Sequence, residues 1–515
     1  MFKIKLLLAF AASLLLDYNL SAQTTLIPDV NFEQALIDMN IDSDGELNGS
    51  VLTSDVKQVT SLDVSGRNIA NLTGIQAFEQ LTALYCRSNI LTSLNVQENS
   101  ELEILDCSSN MITSLSVRNN LKLNTLHCAS NKITEINVSF NTLLEQIDIG
   151  KNQLTNLNVK SNARLKVLNC ASNQLSTLDV TDNWSLQYLD FSFNNIDLIY
   201  LISNVNLEYL NTSNNPLTTL NLISLSALKT IQMVDNDLLS IIYFDNNSKL
   251  EYISCHDNDL LSTIKIKGAD ALKYLNCSNN NLNELDTSEN LLLENLYCQN
   301  NKISGLDLSL NVKLTFLKCN DNDLEYLNLR NGQNMLMTGG LTVVEGKITY
   351  MEGMNALRNE LLTCIEVDDE TLANTNTSPY DSWLKDDIAT YSDDCQSFLE
   401  DDDGDGVNNG ADLCPDTPSG ETVDVNGCAD NQLNIDDENL DRSISLYPNP
   451  VSNSLSIASE TVQIDKIQIY SILGEKVKDV YSDFNNIQTE NLSRGIYIIR
   501  IYSEKGHTIR KLIKQ

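Results

Sequence analysis

Between residues 81 and 332 the apolar positions fall in short clusters rather than helical runs, as in LEILDCSSNMITSLSV (102–117). In LEILDC, Leu102, Leu105 and Cys107 point one way, and alternation across Leu105, Asp106 and Cys107 marks a short, half-buried strand. The unit returns every 21 residues, with two steps of 22 around Cys255. It is centred on Cys86, Cys107, Cys128, Ile149, Cys170, Phe191, Thr212, Met233, Cys255, Cys277, Cys298 and Cys319. Three residues after every centre stands an asparagine, from Asn89 and Asn110 through to Asn301 and Asn322. Self-similarity at a fixed period predicts a solenoid, in which each coil buries its apolar face only against its neighbours. Strands stacked at about 4.8 Å form a parallel sheet roughly 58 Å long over twelve coils. The asparagine falls where the chain turns out of its strand, and its amide can serve the backbone donors and acceptors freed there. A second apolar half-repeat, as in LTSLNV (91–96) and LTNLNV (154–159), lines the opposite wall.

The pattern L-x-x-L-x-C-x-x-N-x-L resembles the leucine-rich-repeat family over about half the chain. The recurring cysteine raises the question of a metal or redox ladder. The same position accepts Ile149, Phe191, Thr212 and Met233, which have neither chemistry. A buried small hydrophobe can be exchanged in that way, and free cysteine behaves as one. The cysteines read as core.

The outward positions of the cysteine-bearing strand carry the candidate contact face. Tyr188, Tyr209, Tyr252, Tyr274 and Phe316 share one repeat position, and Tyr85, His127 and Tyr297 occupy the next outward position of their coils. The facing wall carries mostly Asn, Asp and Lys at its central outward position, for example Asn95, Asn137, Asn158, Asp179 and Asp286. An aromatic stripe confined to one face suits stacking on sugars or gripping a protein partner.

Charge and chemistry narrow the function further. The formal charge is −36, and residues 366–441 hold 23 acidic groups against one basic residue, Lys385. Such a balance argues against nucleic-acid binding, which needs clustered Lys and Arg. His127 and His256 fall six coils apart, roughly 29 Å at about 4.8 Å per coil, and cannot share a metal or a catalytic dyad. No H-E-x-x-H, G-x-S-x-G or P-loop pattern occurs, so the chain does not read as an enzyme.

The ends of the chain complete the plan. Lys3 and Lys5 precede an apolar run from Leu6 to Leu16, too short to span a bilayer, which predicts a signal peptide over 1–22 cleaved after Ala22. No other long apolar run offers a transmembrane segment. Residues 23–58 read as an N-terminal cap with an amphipathic helix bearing Phe32, Leu36 and Met39. The following loop has Asn40, Asp42, Asp44 and Gly45 in partial calcium-loop spacing but Val51 at the twelfth place, which leaves its occupancy open. The solenoid spans 59–332 and a C-terminal cap 333–398, in which Cys364 and Cys395 are expected to pair in an exported chain.

Residues 399–441 form an acidic linker. Asp401, Asp403, Asp405, the Val407 carbonyl, Asn409 and Asp412 fall at places 1, 3, 5, 7, 9 and 12 of a calcium loop, with Gly406 for the turn. A Cys-Pro follows and no flanking helices do, so the stretch resembles one thrombospondin type-3 repeat. That resemblance implies a structural calcium ion and a Cys414–Cys428 disulfide. From 442 to 515 short β-branched and aromatic runs between turn signals predict a small antiparallel sandwich. Tyr447-Pro448-Asn449-Pro450, Leu473-Gly474-Glu475-Lys476-Val477, Gly495-Ile496-Tyr497 and the terminal Lys511-Leu512-Ile513-Lys514 resemble the type A C-terminal sorting domain of the type IX secretion system. The resemblance implies passage across the outer membrane, removal of the tail, and release or attachment to surface lipopolysaccharide. Taken together the expectation is an exported leucine-rich-repeat protein that binds a protein or glycan non-covalently, as an adhesin or adaptor. The rivals are a surface spacer without a specific ligand and a secreted polymer hydrolase.

Overall fold

The computed structural model describes residues 23–395 apart from 237, 245–246 and 345–346, then 417 and 423, then 444–515 apart from 460–462, 472–475 and 504–505. The signal segment 1–22, the loop 401–412, and Cys414 and Cys428 lie outside the described residues. The chain divides into two compact units, Met1–Gln396 and Ser397–Gln515.

The first unit is a leucine-rich-repeat solenoid. Its long wall is one sheet of 14 parallel strands, from Ser61–Asp63 to Met354–Asn355. The register carries one coil directly onto the next, with Tyr188 opposite Tyr209, Leu189 opposite Leu210 and Asp190 opposite Asn211. The middle residue of each strand points inward, and these leucines and isoleucines are buried together with the repeat centres. The opposite wall has shorter pairs, Leu94–Asn95 with Leu115–Ser116 and Ile241–Tyr243 with Thr263–Lys265. It ends in a four-stranded sheet of Gly305–Asp307, Tyr326–Asn328, Cys364–Glu366 and Thr390–Ser392. The C-terminal cap is therefore built as further strands of both walls, with the hairpin Gly340–Val344 and Lys347–Met351 inserted before them.

The asparagines bind coil to coil. The Asn131 side-chain amide donates to the carbonyls of Cys107 and Cys128, at 3.0 and 3.1 Å, and its oxygen accepts the Ile112 N–H at 2.9 Å. The residue before each such asparagine adopts φ near +55°, for example Ser88, Lys151 and Phe193. The side-chain bonds hold a turn that non-glycine residues otherwise disfavour. A second asparagine row lies on the other side of the core. Asn120 is fully buried and its amide donates to Val96 O and Asn99 O, both at 2.8 Å.

All eight ladder cysteines are free and buried. Burial pushes their thiols upward, to about 12 for Cys107, Cys277 and Cys319. Such thiols are poor nucleophiles and poor ligands.

Both ends are capped. The helix Val30–Asp38 buries Phe32, Ala35 and Leu36. Asp29 caps that helix, and its second oxygen accepts the Ala70 and Asn71 N–H groups, fixing the helix to the first coil. At the other end Cys364 and Cys395 form a disulfide. Beside it Tyr380, Trp383 and Tyr391 pack edge to face, and the Trp383 indole donates to Met337 O at 2.9 Å.

The second unit contains antiparallel sheets, one of three strands (Ile444–Tyr447, Ser454–Ser459, Ile487–Gln488) and one of four (Ile464–Ser471, Lys476–Val480, Gly495–Ser503, Gly506–Lys514). Leu455, Ile467, Ile469, Ile499, Ile501 and Leu512 form its core. Asn449 of the YPNP turn accepts the Ile513 N–H at 2.7 Å and donates to Lys511 O at 2.6 Å, joining two of the tail's separate motifs. Tyr497 is buried and its hydroxyl donates to Ser493 O at 2.9 Å, while Lys511 is exposed.

Candidate recognition surface

Repeat geometry sets the aromatic face. One residue at the same strand position in successive coils is brought into a column, with its ring against the ring of the next coil. Tyr188 and Tyr209 stack with centroids 4.4 Å apart and planes 2° apart, and Tyr252 and Tyr274 at 4.3 Å and 6°. Tyr297, from the neighbouring column, leans over Tyr274 at 5.4 Å and over Phe316 at 4.7 Å. Thr230 stands between Tyr209 and Tyr252 in the register and divides the two groups. Six of the eight expected face residues are thus gathered into a pair and a set of four. Tyr85 and His127 stand apart, in a column where Asp63, Asp106 and Asp148 are their neighbours.

The rings are less available than their outward position suggests. The tyrosines are half-buried and Phe316 is buried, because each ring covers the face of the next. Burial pushes the hydroxyls of Tyr188, Tyr209, Tyr274 and Tyr297 above the ordinary value, so they remain neutral donors. The stacks offer ring edges and hydroxyls rather than open aromatic faces. Near His127 a shallow hollow of about 530 Å³ is lined by Arg87, Asp106, Ser108 and Asp148, and burial raises the Asp148 carboxyl above its usual range. Among the described residues no three His, Cys, Asp or Glu side chains gather as a metal site.

Within the solenoid the most exposed apolar side chains lie on or beside the other wall, where polar residues are expected. The central outward column reads Asn158, Asp179, Tyr200, Asn221, Tyr243, Lys265 in successive coils. Tyr200 is 65% exposed and Ile202, two residues on, 73%. Leu198, Ile223, Ile241 and Tyr243 are also exposed, and Trp184 and Val205 lie exposed at the turn that follows this wall in coils five and six. Sets of this size, bordered by polar residues, mark interaction surfaces more often than isolated exposed side chains do. The signal was present in the sequence as Tyr200 and Tyr243 on an otherwise polar column.

Comparison with known proteins bears on the tail and on the solenoid. Residues 445–515 match the family model described as secretion system C-terminal sorting domain. The tail directs the chain out of the cell or to its outer surface, and among the described residues no helix is long and apolar enough to cross a membrane. Among solved structures, the functional domain of InlJ from Listeria monocytogenes, whose description notes a cysteine ladder, is 21% identical, with a TM-score of 0.45, covering 96% of this chain and 99% of that one. The internalin InlF from the same species is 19% identical at a TM-score of 0.48, covering 72% and 95%. The Leptospira interrogans leucine-rich-repeat protein LIC12759 is 20% identical at 0.44, covering 53% and 80%. No curated protein matches the chain.

Proposed function

We propose that the mature protein is an adhesin- or adaptor-like recognition module, exported by the type IX system, that binds a protein or glycan without chemical turnover. The observation that carries this reading is the apolar set around Tyr200, Ile202 and Tyr243, exposed on a wall that is otherwise polar. An exported chain gains nothing in stability from apolar groups left in water, whereas a partner that covers them gains about 25 cal/mol per Å². The tyrosine stacks of the long wall form a second candidate contact, supplying hydroxyl donors and ring edges. The acidic stretch around 401–412 supports a linker stiffened by one calcium ion held at Asp401, Asp403, Asp405, Val407, Asn409 and Asp412. The tail supports hand-over to the secretion machinery, followed by release or attachment to lipopolysaccharide.

The spacer reading draws on a specific observation, the mutual covering of the long-wall tyrosines, which leaves them little free surface. Presenting the mature chain to arrays of glycans and of surface proteins separates the two. A ligand bound by the parent and lost on Tyr200→Ser with Ile202→Ser supports recognition through the apolar set. Loss on Tyr188→Ser with Tyr252→Ser instead moves the site to the stacks. No ligand at all supports the spacer.

A further inference from the structure

The N-terminal cap contains one buried carboxylate that accepts no hydrogen bond of ordinary geometry. Asp42 follows the helix Val30–Asp38 and is only 3% exposed. Neither of its carboxylate oxygens accepts a hydrogen bond of ordinary geometry. Three other carboxylates of the cap are occupied. Glu33 Oε1 accepts the N–H groups of Asn48, Gly49 and Ser50, at 2.9, 2.6 and 3.0 Å. Asp55 accepts the Ser43 N–H at 3.2 Å. Asp44 accepts the Glu46 N–H through one oxygen and the Asn48 amide through the other. Asp42 interacts with the amide and carboxylate of Asp44 and with the carboxylate of Glu33, which places it among like charges. A buried carboxylate in that setting must take a proton or a cation.

The chain around Asp42 is arranged as hard cations require. Asn40, Asp42 and Asp44 alternate, and Gly45 turns with φ +67° and no atom within 4 Å of where a Cβ would stand. Because Glu33 is held by the Asn48, Gly49 and Ser50 N–H groups and no three acidic or histidine side chains among the described residues are placed to hold a metal, neutral oxygens must complete any donor set. We propose that this loop binds one calcium ion, with Asp42 and Asp44 as its charged ligands and the Asn40 side chain, the Glu46 carbonyl and water as the neutral ones. Calcium accepts irregular shells of six to eight oxygens, whereas magnesium demands a near-ideal octahedron. With two carboxylates, and Val51 where a closing glutamate would fall, the affinity belongs in the weak extracellular range, about 10⁻⁴ to 10⁻³ M. The ion fixes the loop to the end of the helix that covers the first coil.

Hydrogen exchange of the mature chain, followed in EDTA, in magnesium and across a calcium titration, tests the site through the amides of residues 40–52. The parent should gain protection there with a midpoint of about 10⁻⁴ to 10⁻³ M calcium and not with magnesium. Asp42→Asn and Asp44→Asn should each raise that midpoint at least tenfold, while peptides from 399–441 respond as in the parent. Asp44 is exposed, so its variant serves should Asp42→Asn fail to fold. A parent loop unchanged up to about 10 mM calcium, ten times the weakest expected Kd, overturns the proposal. So does a calcium response retained in full by both variants.

Discussion

Replacing Asn131 by alanine isolates what the asparagine ladder contributes. Its oxygen is the acceptor for the buried Ile112 N–H, and its amide donates to the carbonyls of Cys107 and Cys128. Those two carbonyls keep a bond each, from Asn110 and from Asn152, both at 3.0 Å. The substitution therefore orphans one buried donor, at about 1–3 kcal/mol, and removes two bonds of about 0.5–1 kcal/mol each. The expected local loss is about 2–5 kcal/mol. In a solenoid each coil is stabilised mainly by its neighbours, so the loss should centre on the coils of Cys107 and Cys128. Native-state hydrogen exchange reads it as faster opening there, with coils near Cys298 unaffected. Asn137→Ala is the control, because Asn137 is exposed and bonds only the nearby Ser139 N–H. It should change opening by about 0.5 kcal/mol or less. Equal effects of the two substitutions would refute the ladder's role.

Four further outcomes follow from the geometry. Burial holds the Asp148 carboxyl above its ordinary value, so the folded chain binds this proton more tightly than the unfolded chain and stability falls as pH rises through that range. Asp148→Asn should therefore raise the melting temperature at pH 7 and lose that advantage below about pH 3, as thermal denaturation across pH will show. Alkylation at pH 8 followed by mass spectrometry should leave the eight ladder thiols unmodified in the folded chain and modify them after unfolding. Removing the Cys364–Cys395 disulfide by Cys364→Ser with Cys395→Ser opens a link across 31 residues and should cost about 3.5 kcal/mol, read as increased exchange around Tyr391. Phe193 sits exposed at φ +54°, so Phe193→Asn should stabilise the solenoid by about 1 kcal/mol in denaturant unfolding.

The coils were legible because period and asparagine repeat together. The first strand, Ser61–Asp63, escapes that pattern because Arg67 stands where the ladder asparagine belongs, and Asn89 alone serves Arg67 N and Ile69 N. At the far end the hairpin between Gly340 and Met351 shifts the period, hiding a regular coil. There Asn359 bonds Cys319 O and Ala356 O as its predecessors do. The second asparagine row is broken by Leu225 and Ala269, which obscures it in sequence. Strand position showed which tyrosines share a column but not that each ring would cover the next. The exposed set around Tyr200 and Tyr243 was readable as two tyrosines in a polar column, yet only the accessible area shows its size. Asp42 could be placed in a loop by spacing, whereas its burial without a hydrogen bond of ordinary geometry is a property of the folded cap.

The central claim is recognition through the apolar wall, and its most direct test is affinity for the captured ligand measured by calorimetry on the parent and on Tyr200→Ser with Ile202→Ser. Truncating exposed anchors that a partner covers costs about 2 kcal/mol or more, and hence at least thirtyfold in Kd. The account predicts that loss for the apolar-wall variant and a change within twofold for Asn95→Ser on the same wall. An apolar-wall variant that folds as the parent does and binds with unchanged affinity would contradict it.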